Sequence, residues 1–143
     1  MKALSVVAFA LMVAGLFWLL AIRAIFGREP VAMAVQIAAV VLMVWARVTF
    51  GARSFHATAN PTAGGLVTAG PYAYIRHPIY SAVLYFTWAA ALDHFSWMSV
   101  VAGVLVTAGA ATRMLLEESY LVKTYPEYRP YMRRTRRVVP YVV

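Results

Sequence analysis

Polar side chains that could carry chemistry are concentrated in two short stretches of this sequence. The first runs from Gly70 to Tyr80 and reads Gly-Pro-Tyr-Ala-Tyr-Ile-Arg-His-Pro-Ile-Tyr, and the second begins at Arg113 and continues through Glu117 and Glu118. A histidine, acids and an arginine can move protons and hold charged groups, and tyrosine rings can lie against a cation. The two stretches together indicate a polar binding or catalytic site.

The remaining composition argues against several kinds of site. The chain has no cysteine, which removes disulfides, cysteine-based zinc sites and thiol nucleophiles. Its three histidines, His56, His77 and His94, are scattered and make a poor set of metal ligands, so we predict no bound metal. No serine or cysteine nucleophile accompanies His77, which disfavours a hydrolase.

Each of these polar residues also has a purely structural interpretation. His77 could hydrogen-bond a helix end, and the nearby tyrosines could form an interfacial aromatic belt. Glu117 and Glu118 could be solvated charges beyond a membrane span, and Arg113 could pair with Glu117 one helical turn away. Charged groups near membrane depth nevertheless tend to be functional, which favours a shared site.

The rest of the sequence predicts a small membrane protein. Its 143 residues are 63% hydrophobic and 13% charged, with a mean hydropathy of +0.71, whereas soluble domains average about 25% charged residues. We therefore expect one domain over residues 1–143, with an all-α fold and about four transmembrane helices. The predicted spans cover residues 3–22, 31–50, 78–92 and 95–112, and a basic tail follows over residues 113–143.

The arrangement of the spans brings the two polar stretches together. Asp93 and His94 are the strongly polar break between the last two apolar runs, so these runs should pack antiparallel as a hairpin. The start of the third span then lies beside the end of the fourth, at one membrane face. The glycine- and proline-rich stretch over residues 51–76 is predicted to be a loop at the membrane surface.

The distribution of basic residues predicts the orientation. Of the 13 Lys and Arg residues, all but Arg23 and Arg28 fall on the side that holds both termini and the middle loop. Basic residues favour the cytoplasmic side, so both termini should be cytoplasmic. The net charge of +8 is then mostly a topology signal with affinity for anionic headgroups, and it requires no nucleic-acid partner.

The two polar stretches also resemble the motifs of a known family. Gly-Pro-Tyr-x-Tyr-x-Arg-His-Pro-x-Tyr from Gly70 to Tyr80, paired with Arg-x-x-x-Glu-Glu from Arg113 to Glu118, is similar to the isoprenylcysteine carboxyl methyltransferase family and the related membrane phospholipid methyltransferases. The resemblance covers about residues 64–140. It implies methyl transfer from S-adenosylmethionine, bound in a cytoplasmic pocket at the edge of the last helices, to a lipid-borne or hydrophobic acceptor.

The resemblance further implies roles for individual residues. Arg113 matches the arginine that the family assigns to the substrate side, and it is the predicted catalytic residue. The implied cofactor-binding residues are Gly64, Gly65, Leu66, Val67, Tyr72, His77, Pro78, Ile79, Tyr80 and Glu117. Their chemistry suits the cofactor, because a carboxylate accepts hydrogen bonds from hydroxyl and ammonium groups, tyrosine faces bind a sulfonium cation, and glycine permits close backbone approach.

Several acceptors are compatible with this site, and one hypothesis from another class competes with it. Arg113 could hold a carboxylate or a thiolate, whereas an amine must lose a proton, for which His77 and Glu118 are candidates. The alternative is a non-enzymatic small membrane subunit that packs against a partner membrane protein and has no reason to bind S-adenosylmethionine. In either case we expect an integral membrane protein, in the inner membrane if the source is bacterial.

Overall fold

The computed structural model describes residues 2–51 and 66–142, and every regular element within them is helical. This confirms the predicted all-α fold. A short 3-10 helix covers Gly70–Ala73. The α-helices are α1 (Lys2–Ala21), α2 (Pro30–Phe50), α3 (Pro78–Asp93), α4 (Trp97–Thr124) and α5 (Tyr128–Arg134).

Three of these helices, α1, α2 and α4, are long and apolar enough to cross a membrane. Helix α3, the third predicted span, has 16 residues. At about 1.5 Å per residue it rises roughly 24 Å, which is less than a hydrocarbon core of about 30 Å. The three apolar helices make this an all-α membrane protein. Helix α3 is shorter than its other long helices.

Helix α4 extends well beyond the apolar run that revealed it. The predicted span ends at residue 112, whereas the helix continues to Thr124. Hydropathy falls after residue 112 because charged residues appear, but leucine, methionine and glutamate are all good helix formers. The end of an apolar run thus marked a change of environment and not the end of a helix. Arg113, Glu117 and Glu118 consequently lie on one rigid element.

The long helices pack in the order α1, α4, α3, α2. Met12 of α1, Leu84 of α3 and Val106 of α4 belong to one buried apolar cluster. Helices α1 and α4 approach closely at two glycines. A β-carbon on Gly15 would lie 2.7 Å from the Val106 side chain, and one on Gly109 would overlap the Ala8 carbonyl oxygen. These two glycines set the spacing between α1 and α4.

We expect Gly109→Ala to destabilise the protein although alanine favours helix formation. The gain in helix propensity is about 1 kcal/mol, whereas overpacking against backbone typically costs about 1–3 kcal/mol. Gly103→Ala, on the same helix, is the matched control, because its β-carbon would meet the Trp88 ring at 3.3 Å instead of backbone. Thermal unfolding in nanodiscs should show a clearly lower Tm for Gly109→Ala. Equal Tm values for the two variants would contradict this account.

The turns at the end opposite the polar stretches are joined to each other. The Asp93 carboxylate accepts hydrogen bonds from the backbone N–H groups of Arg28 at 2.7 Å and Glu29 at 3.2 Å. His94 Nε2 lies 2.7 Å from the Phe26 carbonyl oxygen. Gln36 of α2 donates to the carbonyl of Ile25 at 2.9 Å. The connection between α1 and α2 and the turn between α3 and α4 therefore lie at one end of the molecule.

The orientation of this bundle remains a prediction based on the basic residues. A reporter that is active only outside the cytoplasm should stay silent when it is fused after Val143. The same reporter fused to a chain ending at His94 should be active, because the α3–α4 turn is expected on the opposite side. Activity of the first fusion and silence of the second would reverse the predicted topology.

Candidate functional site

The two polar stretches meet where α3 begins and α4 ends. Pro78 is the first residue of α3, a position where proline's missing N–H costs nothing. His77 precedes it and is 6% exposed, and its side chain does not cap the helix. Glu117 and Glu118 lie near the far end of α4, beside His77. The predicted hairpin therefore brings the histidine and both acids together.

Glu117 lies at the centre of the first group of contacts. The Tyr80 hydroxyl donates a short hydrogen bond to Glu117 Oε1, and Arg113 Nη2 lies 3.5 Å from the same oxygen. The second oxygen, Oε2, is 3.8 Å from His77 Nδ1, which is too long for a hydrogen bond. The Glu117 side chain is 22% exposed. Within the part of the chain that the structure describes, Oε2 accepts no hydrogen bond, so it has lone pairs left for a ligand.

Arg113 connects this group to α1. Its Nε donates to the Tyr80 hydroxyl at 2.7 Å, and its Nη1 donates to the Ser5 carbonyl at 3.2 Å. The guanidinium carbon lies 5.4 Å from the centre of the Phe9 ring, within range of a cation–π interaction. Arg113 is 4% exposed. The ion pair with Glu117 that the sequence suggested is thus present together with contacts to two other helices.

Glu118 has different partners from its neighbour, because consecutive residues of a helix point about 100° apart. Its Oε1 accepts from Arg76 Nε at 2.9 Å and lies 3.3 Å from His77 Nε2. Its Oε2 accepts from Arg137 Nε at 3.0 Å and Nη2 at 2.8 Å. These bonds raise the pKa of Arg137 above its usual value. Glu118 is buried and its oxygens are occupied.

Residues 135–138, which we call the tail segment, run alongside the residues that precede α3. An isolated parallel bridge joins Arg136 to Ile75. Arg136 carbonyl accepts from the Arg76 N–H at 2.6 Å, and the Arg137 carbonyl accepts from the His77 N–H at 3.1 Å. The Val138 carbonyl accepts from two side chains of α3, Ser81 at 3.0 Å and Tyr85 at 2.7 Å. The end of the basic tail is thus bonded to the site.

Tyr72 lies beside this group in the 3-10 helix. It is 6% exposed, and its ring centre is 5.5 Å from that of Phe50. The Tyr131 hydroxyl donates to the Tyr72 carbonyl at 2.7 Å. Burial raises the pKa of Tyr131 to about 12, so this hydroxyl stays protonated at neutral pH. Helix α5 therefore holds the 3-10 helix in place.

The structure brings together a core of the predicted site residues. His77, Pro78, Tyr80, Glu117 and Arg113 surround the start of α3 and the end of α4. The other predicted residues are more dispersed: Ile79 is half-buried in the first turn of α3, Leu66 and Val67 are half-buried in irregular chain, and Gly64 and Gly65 lie outside the described residues.

Four further contacts of the site were not predicted. Arg137 was grouped with the tail arginines as a topology signal, and Ser5 and Phe9 lie in an apolar helix that carries no motif. Arg76 was part of the first stretch but received no role. Its position beside His77 was the available signal, since adjacent residues of one motif often serve one site.

Searches among curated proteins and among solved structures found no match for this chain. The family model for phospholipid methyltransferases matches residues 22–128, well over half of the chain. The match starts after α1 and ends at the first residue of α5, so it contains Arg113, Glu117 and the start of α3. It supports an enzyme over a non-enzymatic subunit. The chain belongs to the phospholipid methyltransferase family, the family of the isoprenylcysteine carboxyl methyltransferase-like membrane methyltransferases.

Proposed function

We propose that this protein transfers a methyl group from S-adenosylmethionine to a lipid-borne or hydrophobic acceptor at the membrane–cytoplasm interface. Family membership supports a membrane methyltransferase. The observation that carries the finer proposal is Glu117, a half-buried carboxylate whose Oε1 accepts from Tyr80 while its Oε2 accepts no hydrogen bond within the described residues. In a bacterial source the location would be the inner membrane, with both termini in the cytoplasm.

The residues around Glu117 fit the proposed cofactor chemically. Glu117 Oε2 can accept hydrogen bonds from ribose hydroxyls or from the ammonium group. The Tyr80 and Tyr72 rings offer faces for the sulfonium cation. His77 does not cap α3 with its side chain, so backbone N–H groups of the first turn suit the cofactor carboxylate. Around these groups we propose that Gly64, Gly65, Leu66, Val67, Pro78 and Ile79 form the walls of the pocket.

The chain's part in the reaction is alignment and exclusion of water. S-adenosylmethionine supplies a methyl carbon that its sulfonium has already activated, so the protein needs no covalent nucleophile. Tyr80 and Glu117 hold one another at the end of α4, and Arg113 fixes the Tyr80 hydroxyl from the other side. Holding two reactants in line and away from water removes much of the entropic part of the barrier.

The acceptor decides whether a base is needed. A carboxylate or a thiolate attacks directly, and we propose that Arg113 lies on its side of the pocket. An amine must lose a proton. Because Glu118 is already occupied by Arg76, Arg137 and His77, His77 is the better candidate for accepting that proton.

Two measurements test the proposal. Isothermal titration of the protein in nanodiscs should detect S-adenosylmethionine binding, and a methyl-labelled cofactor should transfer label to a component of a membrane extract. Heat-denatured protein serves as the control for label transfer. Absence of cofactor binding by the folded protein would refute the proposed function, and binding without transfer to any lipid or apolar molecule would refute the proposed acceptor class.

A further inference from the structure

The tail segment lies beyond the family match, which ends at residue 128, but it is bonded to the site. Its backbone pairs with the residues that precede α3, and its Val138 carbonyl binds two side chains of α3. These bonds fix the position at which α3 begins. They do not depend on the side chain of any tail residue.

Arg137 links the tail segment to α4 by a side-chain ion pair. Its guanidinium donates from both Nε and Nη2 to the single oxygen Oε2 of Glu118, a planar two-donor contact that the ammonium of lysine does not reproduce. The Arg137 side chain is 43% exposed, whereas that of Glu118 is 6% exposed. Because Glu118 also pairs with Arg76, the carboxylate stays compensated without Arg137, and the Arg137 pair should add little to global stability. Its main effect is therefore local, on a carboxylate that is buried.

Glu118 in turn orients His77. The two oxygens of Glu118 contact different partners. Oε2 accepts from Arg137, whereas Oε1 accepts from Arg76 and lies beside His77. A histidine ring is oriented by the hydrogen bond that one of its nitrogens makes. With Nε2 directed at Glu118, Nδ1 faces Glu117 at 3.8 Å. Loss of Arg137 would leave Oε2 without this partner and Glu118 held through Oε1 alone, so the carboxylate could turn about its contact with Arg76 and the orientation of His77 would loosen.

We propose that Arg137 is a positioning residue for methyl transfer, which holds Glu118 and thereby keeps His77 directed at Glu117. This inference rests on the proposed function and adds to it a residue outside the family match. Among the described residues, the Arg137 side chain is hydrogen-bonded to Glu118 and not to Glu117 or Tyr80, so it acts through Glu118. The tail segment thus helps to orient a side chain of the site, in addition to any attraction of its basic residues to lipid headgroups.

Three variants of the full chain in nanodiscs test the proposal. Arg137→Gln removes the charge and the two-donor contact, Arg137→Lys keeps the charge alone, and Arg134→Gln makes the same charge change at an exposed arginine of α5. We expect Arg137→Gln to lower turnover per folded molecule about tenfold, with partial recovery in Arg137→Lys. Arg134→Gln should stay within about twofold of the parent protein. The Tm should differ little among the three.

Nitrogen NMR of histidine-labelled protein supplies a readout that does not require activity. The ring nitrogens of His77 should shift in Arg137→Gln and keep their parent positions in Arg134→Gln, while His94 at the far end stays unchanged in both. The positioning role is wrong if Arg137→Gln and Arg134→Gln have the same turnover and the same His77 shifts. It is also wrong if Arg137→Gln loses turnover only to the extent that its lower Tm explains. A parent protein that binds no cofactor would refute the proposed function, and the His77 signals would then decide alone whether Arg137 orients the ring.

Discussion

Replacing Glu117 by glutamine should weaken S-adenosylmethionine binding by about tenfold or more, because hydrogen bonds to a charged acceptor contribute about 1.5–3 kcal/mol. Glutamine keeps the size of the side chain but removes its charge, and its amide nitrogen can only donate. The Tyr80 hydroxyl and Arg113 would also lose a charged partner. Isothermal titration in nanodiscs measures the effect directly.

The matched control for this prediction is Glu127→Gln, which removes the same charge from an exposed residue just before α5. A solvated glutamate should tolerate the change within about 0.5 kcal/mol. If Glu117→Gln is folded and binds the cofactor as tightly as Glu127→Gln does, Glu117 is not part of the pocket. The proposed arrangement around its Oε2 atom would then have to be abandoned.

The second large effect is expected from Arg113→Lys. Lysine keeps the charge, but it lacks the planar guanidinium that hydrogen-bonds Tyr80 and Ser5 and pairs with Glu117 at the same time. If Arg113 lies on the acceptor side, turnover should fall at least about tenfold while cofactor affinity changes by less than about threefold. Turnover with membrane extract and titration with cofactor are compared on the same preparation.

Arg129→Lys, at an exposed position of α5, controls for the loss of a guanidinium as such. A parallel loss of turnover and cofactor affinity in Arg113→Lys would identify Arg113 as a residue that supports the cofactor pocket, and its acceptor role would be withdrawn. No change in either quantity would mean that its contacts with Ser5 and Tyr80 serve packing alone.

The helical scaffold was largely predictable because long apolar runs indicate membrane-spanning helices and prolines mark where helices begin. Pro30 and Pro78 lie at the starts of α2 and α3, and the break at Asp93 and His94 produced the expected hairpin. The end of α4 was not predictable from hydropathy, since the helix outlasts its apolar run by a dozen residues. A helix that leaves the membrane keeps its backbone bonds while its side chains change in polarity.

The site was predictable only where its residues form short motifs. His77, Tyr80 and Glu117 stand in two such motifs, and the hairpin brings them together. Arg137 and Ser5 reach the same site from distant parts of the chain. A single arginine among many in a basic tail carries no local pattern that distinguishes an ion pair with Glu118 from contact with solvent. Such long-range pairs follow from the fold and not from spacing.

The shortness of α3 bears on how an acceptor would reach the site. Helix α3 rises about one helical turn less than a typical hydrocarbon core is thick, and His77 and Tyr80 lie at its first turn. If the α3–α4 turn lies at the far surface, as the basic residues predict, these groups would lie below the near surface, where the bilayer must thin or polar groups must enter. An acceptor anchored by acyl or prenyl chains could then react without being lifted from the bilayer, which avoids exposing methylenes at about 0.8 kcal/mol each. With this placement, membrane thickness would affect how easily the acceptor reaches the site, and lipids with shorter chains should bring the acceptor closer to the depth of Glu117.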